Sequence, residues 1–305
     1  MVAPSTAPEL ILGETGTGKE LVAREIHAKS LRCRASLVVV NASTLQENIL
    51  ESEFFGYKKG AFTGAQSDKI GLLEAADKGT CFIDEVGDMG PIIQTKILRV
   101  VESGTFIKLG DTQETKVDVR FLFATNKDLA SLVECGSFRK DLFYRINTFT
   151  LNIPPLRERD KDTILLAQYF VKAFSRGEKC LSEKTLALLA AYDRPGNVRE
   201  LSNVIKRSIL VSGVNNTSVP EDLPKNIIHM VLLEPNRRKS ISMEEISLAK
   251  RQGTHVAKVM DFTKGNKSNR STAVRGKSDQ ALSLACASGC MKVRRNIRLQ
   301  EFVKS

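Results

Sequence analysis

Gly13 to Glu20, GETGTGKE, lies between a short apolar run, Leu10 to Leu12, and a helix-patterned segment, Leu21 to Ser30. Gly13, Gly16 and Gly18 let the backbone turn tightly and aim its N–H groups inward, while Glu14, Thr15 and Thr17 fill the loop between them. Lys19 stands where a side chain reaches the outer phosphates of a triphosphate, at the positive end of the helix that follows. Glu20 departs from the general pattern, which places Ser or Thr here to bind Mg2+. A glycine-rich loop can be a mere turn, but three glycines and a lysine between strand and helix point to a phosphate cradle.

Outward from that loop, three apolar runs read as buried parallel strands. Ala35 to Val40, ASLVVV, ends in Asn41; the run within Gly79 to Asp88, GTCFIDEVGD, ends in Asp84 and Glu85; Val119 to Ala124, VRFLFA, is capped by Thr125 and Asn126. Polar residues at the carboxyl ends of parallel strands face one ligand crevice. Beside a phosphate-binding loop, Asp84 suits Mg2+, offsetting the missing hydroxyl, and Glu85 suits the polarisation of an attacking water. Asn41 reads equally as a turn residue or as a contact to the catalytic groups.

Between the first two strands, after a helix-like Leu45 to Phe55, comes Gly56 to Gln66, GYKKGAFTGAQ. Glycines flank Phe62 and Thr63 among alanines, which predicts a mobile loop exposing one aromatic as a contact point. A hairpin connection with Phe62 tucked inward is the other reading. Ile92 to Ser103 has the period of a helix, and the region around Gly110 and Asp111 that of a hairpin. Phe138 to Asn147, FRKDLFYRIN, reads as a helix with Arg139 and Arg145 two turns apart, either solvating a surface or projecting across an oligomer interface toward a transferring phosphate. Pro154 and Pro155 then break the chain. A second, helical domain follows, with helices over Asp162 to Phe174, Ser182 to Ala191 and Asn197 to Val211. Arg199 sits in the first turn of the last one, where the helix dipole disfavours a cation.

Composition narrows the class. The length, 305 residues, suits two domains, and 42% hydrophobic residues suffice for packed cores. No apolar run approaches bilayer length and the start, MVAPSTAPEL, lacks a signal-peptide core, so the cytoplasm is expected and a membrane is not. Six scattered cysteines and three dispersed histidines predict reduced thiols rather than a metal cluster. Of 46 Lys/Arg and 35 Asp/Glu, 16 and 5 fall in Asn236 to Ser305, so this basic stretch carries the whole net charge of +11. Such a tail is either merely solvated or weakly attracted to nucleic acid.

These motifs together resemble the sigma-54-dependent transcriptional activators, the bacterial enhancer-binding proteins among the AAA+ ATPases. The resemblance runs from about Ala7 to Ile227. GETGTGKE looks like that family's P-loop, GAFTGA (Gly60 to Ala65) its signature loop, GTCFIDEVGDM its Walker B segment, VRFLFATNKDL its sensor I, FRKDLFYRIN its arginine-finger helix, IPPLRER its domain junction and PGNVREL its sensor II. It implies an AAA+ three-layer α/β domain with a parallel sheet over residues 1–152, an all-α lid over 153–230 and a basic tail over 231–305. It also implies ATP and Mg2+ as cofactors, a ring, commonly a hexamer, and sigma-54 RNA polymerase holoenzyme as partner.

Each site in that ring would combine Lys19, Asp84, Glu85, Asn126 and Arg199 with Arg139 and Arg145 of the next subunit. Asn41 resembles the residue that restrains the catalytic glutamate, and Gly60, Ala61, Phe62, Thr63, Gly64 and Ala65 the loop that touches sigma-54. Lys58, Leu72 and Arg194 depart from the family pattern, which has an acid, an arginine and a tryptophan there. In the tail, Gly265 to Ser268 resembles the turn before a helix-turn-helix. Asn269 onward lacks the rest of that pattern, which leaves DNA open as a partner.

Overall fold

A computed structural model describes residues 3–159, 162–193, 195–213, 217–225 and 227–229. The tail expectations and Arg194 lie outside the described residues. The chain divides into two compact units after Pro155.

The first unit begins with β1 (Glu9–Leu12), α1 (Lys19–Ala28), β2 (Leu37–Asn41), α2 (Glu47–Phe55), α3 (Leu72–Ala75) and β3 (Thr80–Asp84). It continues with α4 (Pro91–Ser103), the short antiparallel pair β4 (Thr105–Ile107) and β5 (Glu114–Lys116), β6 (Arg120–Thr125), α5 (Leu129–Glu134), α6 (Lys140–Ile146) and β7 (Phe149–Asn152). Five strands form one parallel sheet in the order β2-β3-β6-β1-β7. The apolar runs at β3 and β6 lie inside this sheet, and β6 is buried along its whole length.

Alternation along the strands sorts the side chains into two layers. Leu10, Cys81, Ile83, Phe121 and Phe123 join Phe54, Phe55, Ile93, Ile97, Leu142 and Ile146 in one core beneath α2, α4 and α6. The intervening Ile11, Phe82 and Leu122, also buried, belong to the opposite face, where α1 packs on β1, β3 and β6 through Leu21, Val22 and Ala23. This is a three-layer α/β domain. Burying a side chain such as Phe82 or Leu122 contributes about 1.5–3 kcal/mol, and the sheet centre is built from them.

Three features depart from the sequence reading. The run ASLVVV, expected to be buried, forms the edge strand β2, of whose five residues only Val40 is buried, because one side of the strand has no neighbour among the described residues. β7 escaped the sequence reading because its four residues, FTLN, alternate apolar and polar and are exposed on both faces. Arg139 is not inside a helix: it is the extended residue before α6, so the expected two-turn spacing from Arg145 along one helix does not occur.

The second unit holds α7 (Asp162–Phe174), β8 (Cys180–Leu181), α8 (Glu183–Ala191), α9 (Asn197–Val211) and β9 (Thr217–Ser218). The Ser182 hydroxyl caps α8 by accepting from the Thr185 N–H at 3.1 Å, which sets its start. α7 packs against both other helices through residues including Leu166, Phe170, Leu189, Leu201 and Ile205. The helical lid is therefore present. No helix among the described residues is long and apolar enough to cross a membrane.

Candidate nucleotide site

At the carboxyl end of the sheet, β1 runs directly into the loop, whose tight path depends on Gly16 (φ 78°) and Gly18 (φ 96°) in the left-handed region. Gly13 permits a close approach: a Cβ there would meet Thr17 Oγ1 at 3.0 Å and the Ile153 carbonyl oxygen at 3.1 Å. The loop is also braced internally, since the fully buried Thr17 donates its hydroxyl to the Glu14 carbonyl at 2.7 Å. Lys19, in the first turn of α1, is buried and folds across the loop, donating to the Gly13 carbonyl at 3.1 Å and to Glu85 Oε1 at 3.4 Å.

Glu85 is the end of a bond series joining three strand ends. Its second oxygen accepts from the Asn126 N–H at 3.2 Å, and the Asn126 side-chain amide donates to Thr15 Oγ1 at 2.9 Å, returning to the loop. The series therefore closes on itself: loop, lysine, glutamate, asparagine, loop. Glu85 holds φ 54° and ψ 47°, a conformation costing a non-glycine residue of order 1–3 kcal/mol and retained where the surroundings enforce it. Asp84 alongside it accepts from the Glu85 N–H at 3.0 Å. Burial pushes the Asp84 carboxyl above its ordinary range, with the adjacent Glu85 carboxylate adding to that and Lys19 opposing it. A carboxylate raised in this way is one that a cation stabilises.

The residues fit Mg2+ in a limited sense. Among the described residues no group of three or more His, Cys, Asp or Glu forms a cage. Mg2+ bound to nucleotides ordinarily takes one or two carboxylates plus phosphate and water, which Asp84 satisfies. Glu20, whose carboxylate pairs with Arg24 at 2.5 Å, is committed elsewhere.

Other sequence candidates are not drawn into the ring of bonds. Asn41 lies in register with Asp84, but its Oδ1 accepts from the Ser43 N–H at 2.9 Å and hydroxyl at 2.7 Å. Arg139 is exposed and paired with Asp141 at 2.6 Å. Arg145 approaches the Val101 carbonyl at 3.5 Å and lines a cleft of about 390 Å³ with Val100, Val117 and Phe121. Since Arg139 touches Thr95 and Arg145 touches Val101, the two guanidinium groups are spread along α4 by roughly 9 Å at 1.5 Å per residue. In the second unit, Arg199 is exposed in the first turn of α9, whose start is fixed by Glu200: its carboxylate accepts from the Gly196 N–H at 2.8 Å and the Tyr192 hydroxyl at 2.9 Å.

The glycine-flanked loop is closed by its own backbone. The Gly60 N–H donates to the Ala65 carbonyl at 2.9 Å, and the Ala65 N–H to the Phe62 carbonyl at 3.0 Å. Thr63 is exposed, Ala65 is buried, and Phe62 is 46% exposed with its ring edge-on to Tyr57 at 4.9 Å. Lys58, the departure from family pattern, finds an acid after all in Asp68 at 2.9 Å, and Leu72 packs against the core. Sequence reasoning missed Gln94, a buried polar residue on the apolar stripe of α4 with Ile97 and Leu98 three and four residues on; a glutamine at that spacing was the available signal.

The chain is similar to known proteins over most of its length. The Sigma-54 interaction domain matches residues 1–152 and the AAA+ ATPase lid domain residues 157–240. The nitrogen fixation protein AnfA of Azotobacter vinelandii is 50% identical over 215 residues, covering 69% of this chain and 40% of that protein. The regulatory protein AtoC of Escherichia coli is 46% identical over 230 residues, covering 74% of this chain and 50% of AtoC. The sigma54-dependent transcriptional activator SfnR of Pseudomonas putida is 46% identical over 226 residues, covering 73% and 62%.

Among solved structures, NtrX from Brucella abortus in complex with ADP matches with TM-score 0.70 and 35% identity over 75% of this chain and 52% of that one. NtrX in complex with ATP matches with TM-score 0.68 and 33% identity over 86% and 61%. The chain spans about half the length of the curated relatives it matches. It belongs to the family of sigma-54-dependent transcriptional activators, with their AAA+ ATPase domain and lid.

Proposed function

We propose that this chain hydrolyses ATP in a ring, most simply a hexamer, and uses the hydrolysis to remodel sigma-54 RNA polymerase closed promoter complexes. The observation that carries this reading is the closed series Lys19–Glu85–Asn126–Thr15, which holds a base, a phosphate-seeking cation and an orienting amide at one loop. Relatives of this fold in complex with ADP and with ATP support a nucleotide as the ligand.

In this reading the backbone N–H groups from Gly13 to Glu20 and the Lys19 ammonium hold the phosphates. Glu85 takes the proton from the attacking water, and Asn126 orients that water together with Glu85. Asp84 would hold Mg2+, which would supply neutralisation of charge on the phosphate oxygens. Arg199 belongs to the same subunit's site; Arg139 and Arg145 serve the next subunit's site, where an arginine stabilises transition-state charge. Asn41 restrains Glu85 until the partner engages, through its Nδ2 donors, since its Oδ1 accepts from Ser43. Gly60 to Ala65 touches sigma-54, with Phe62 and Thr63 at the tip.

ATP turnover by the purified chain, measured across protein concentration with and without Glu85→Gln, tests this. Turnover should rise with assembly and fall about 10²- to 10⁴-fold in the variant, the usual contribution of a general base. A flat background in both proteins would instead identify a relative that keeps the fold and nucleotide binding without remodelling.

A further inference from the structure

Gln94 is 1% exposed, and its carboxamide is used on both sides. Its Nε2 donates to the Met89 carbonyl at 2.8 Å and to the Ser137 carbonyl at 3.0 Å, while its Oε1 accepts from the Arg139 N–H at 2.7 Å. Both donors and an acceptor are thus committed, each to a different peptide.

The two ends of this bridge have functions of their own. Met89 closes the short helical turn opened by Glu85: the Asp88 N–H donates to the Glu85 carbonyl at 2.9 Å and the Met89 N–H to the Val86 carbonyl at 3.2 Å. Arg139 is the residue before α6, its backbone extended (φ −71°, ψ 131°) and without a side-chain cap, so the bond to Gln94 fixes its peptide. Phe138 beside it is buried, so the chain leading to Arg139 is packed into the core. That guanidinium rests on Asp141 and on Thr95 Oγ1 at 3.3 Å, one residue along α4 from Gln94.

We infer that Gln94 is a positioning residue that couples the Glu85 turn of a subunit's own site to the Arg139 arm offered to its neighbour. The inference rests on the proposed role of Arg139 in the neighbouring site. A shift of the Glu85–Met89 turn moves the Met89 carbonyl, and the same amide transmits it to the Arg139 peptide. Coupling of this kind is reciprocal for binding, so occupancy of one site biases the next. Hydrolysis around the ring then has a route through one side chain per subunit.

The test uses the full chain at concentrations where turnover has reached its assembled value. Gln94→Glu keeps length and the acceptor for Arg139 but sets a carboxylate against two carbonyls; Gln94→Asn keeps the amide and withdraws its reach. For either variant that retains the wild-type far-UV spectrum, kcat should fall about 10- to 100-fold with KM for ATP within about twofold, the pattern of a lost transition-state interaction. The Hill coefficient for ATP should fall toward 1. In an Arg139→Ala background the same substitution should cost nothing further.

An equal fold-loss in both backgrounds would reduce Gln94 to a structural residue and overturn the inference, as would an unchanged kcat in both variants. If Arg139→Ala alone left kcat unchanged, the neighbouring-site role of the arginine would fall first, a result separable from the Gln94 measurement.

Discussion

The nucleotide end and the glycine-flanked loop are built on opposite principles. At the nucleotide end Lys19 and Thr17 are buried, four side chains close a ring of bonds, and a left-handed Glu85 is held against its preference. At the loop tip a Cβ on Gly60 or Gly64 would meet nothing within 4 Å, and among the described residues Phe62 has Tyr57 as its one ring partner. Charge stabilisation requires groups fixed before the reaction. A segment that must move is drawn from regions with few buried contacts. The stem between them is tight again: a Cβ on Gly71 would lie 2.5 Å from the Phe54 carbonyl oxygen, and one on Gly56 2.3 Å from that of Lys69.

The largest effect expected on the catalytic side comes from a residue outside the ring of bonds. Arg139→Ala should leave nucleotide affinity near normal and cut turnover about 10³- to 10⁵-fold, the range for an arginine supplied across an interface. Equal loss of binding, read by titration with a fluorescent nucleotide, would move Arg139 into its own subunit's site and blur the contrast. On the loop side, Thr63→Ala should preserve ATP turnover while abolishing open-complex formation at a sigma-54 promoter. Unchanged transcript yield would remove the loop's assigned role.

Stability separates the regions less steeply. Gly71→Ala forces two backbones apart at the stem and should cost about 1–3 kcal/mol, as overpacking does. That amounts to roughly 2–4 °C of melting temperature per kcal/mol for a unit of this size. Phe62→Ala at the tip should stay within about 0.5 kcal/mol, the usual range for surface positions. A comparable drop in both would show the tip packed as firmly as its stem.

Much of this was legible in the sequence because strong local signals coincided with tertiary burial. TCFID and VRFLFA are long and apolar enough to be buried strands whatever their neighbours, and Glu85 and Asn126 beyond them meet. ASLVVV also forms a strand, but at the sheet edge, where only Val40 of β2 is buried and Asn41 bonds to Ser43 instead. β7 was not legible, since an edge strand of four residues carries too little pattern. The placement of Arg139 failed for a related reason: a helix boundary depends on capping, and here the partner of its N–H is Gln94, 45 residues away in sequence. Arg120, inside the run VRFLFA, and Glu9, just ahead of the run Leu10 to Leu12, form a buried ion pair at 2.5 Å between β1 and β6. Long-range polar pairs leave no periodic trace.

The smallest expected effect concerns the scaffold beneath the nucleotide loop. His27, near the end of α1, places Nδ1 3.0 Å from the buried Thr80 hydroxyl of β3 and so ties the loop's helix to the strand bearing Asp84. Burial lowers its affinity for a proton, and the Arg120 charge adds to this. Below the ordinary histidine value of 6.5 the unfolded chain takes up a proton that the native one refuses, so stability falls as pH drops through 6.5 and levels off at the lowered native value. His27→Gln, which keeps a polar group near Thr80 without a titrating ring, should flatten that part of the melting-temperature profile. Turnover measured well above pH 6.5 should change little, because the ring of bonds around Lys19 does not include this side chain. A variant profile as steep as the wild type would assign the acid sensitivity to other groups and detach the nucleotide end from this buried histidine.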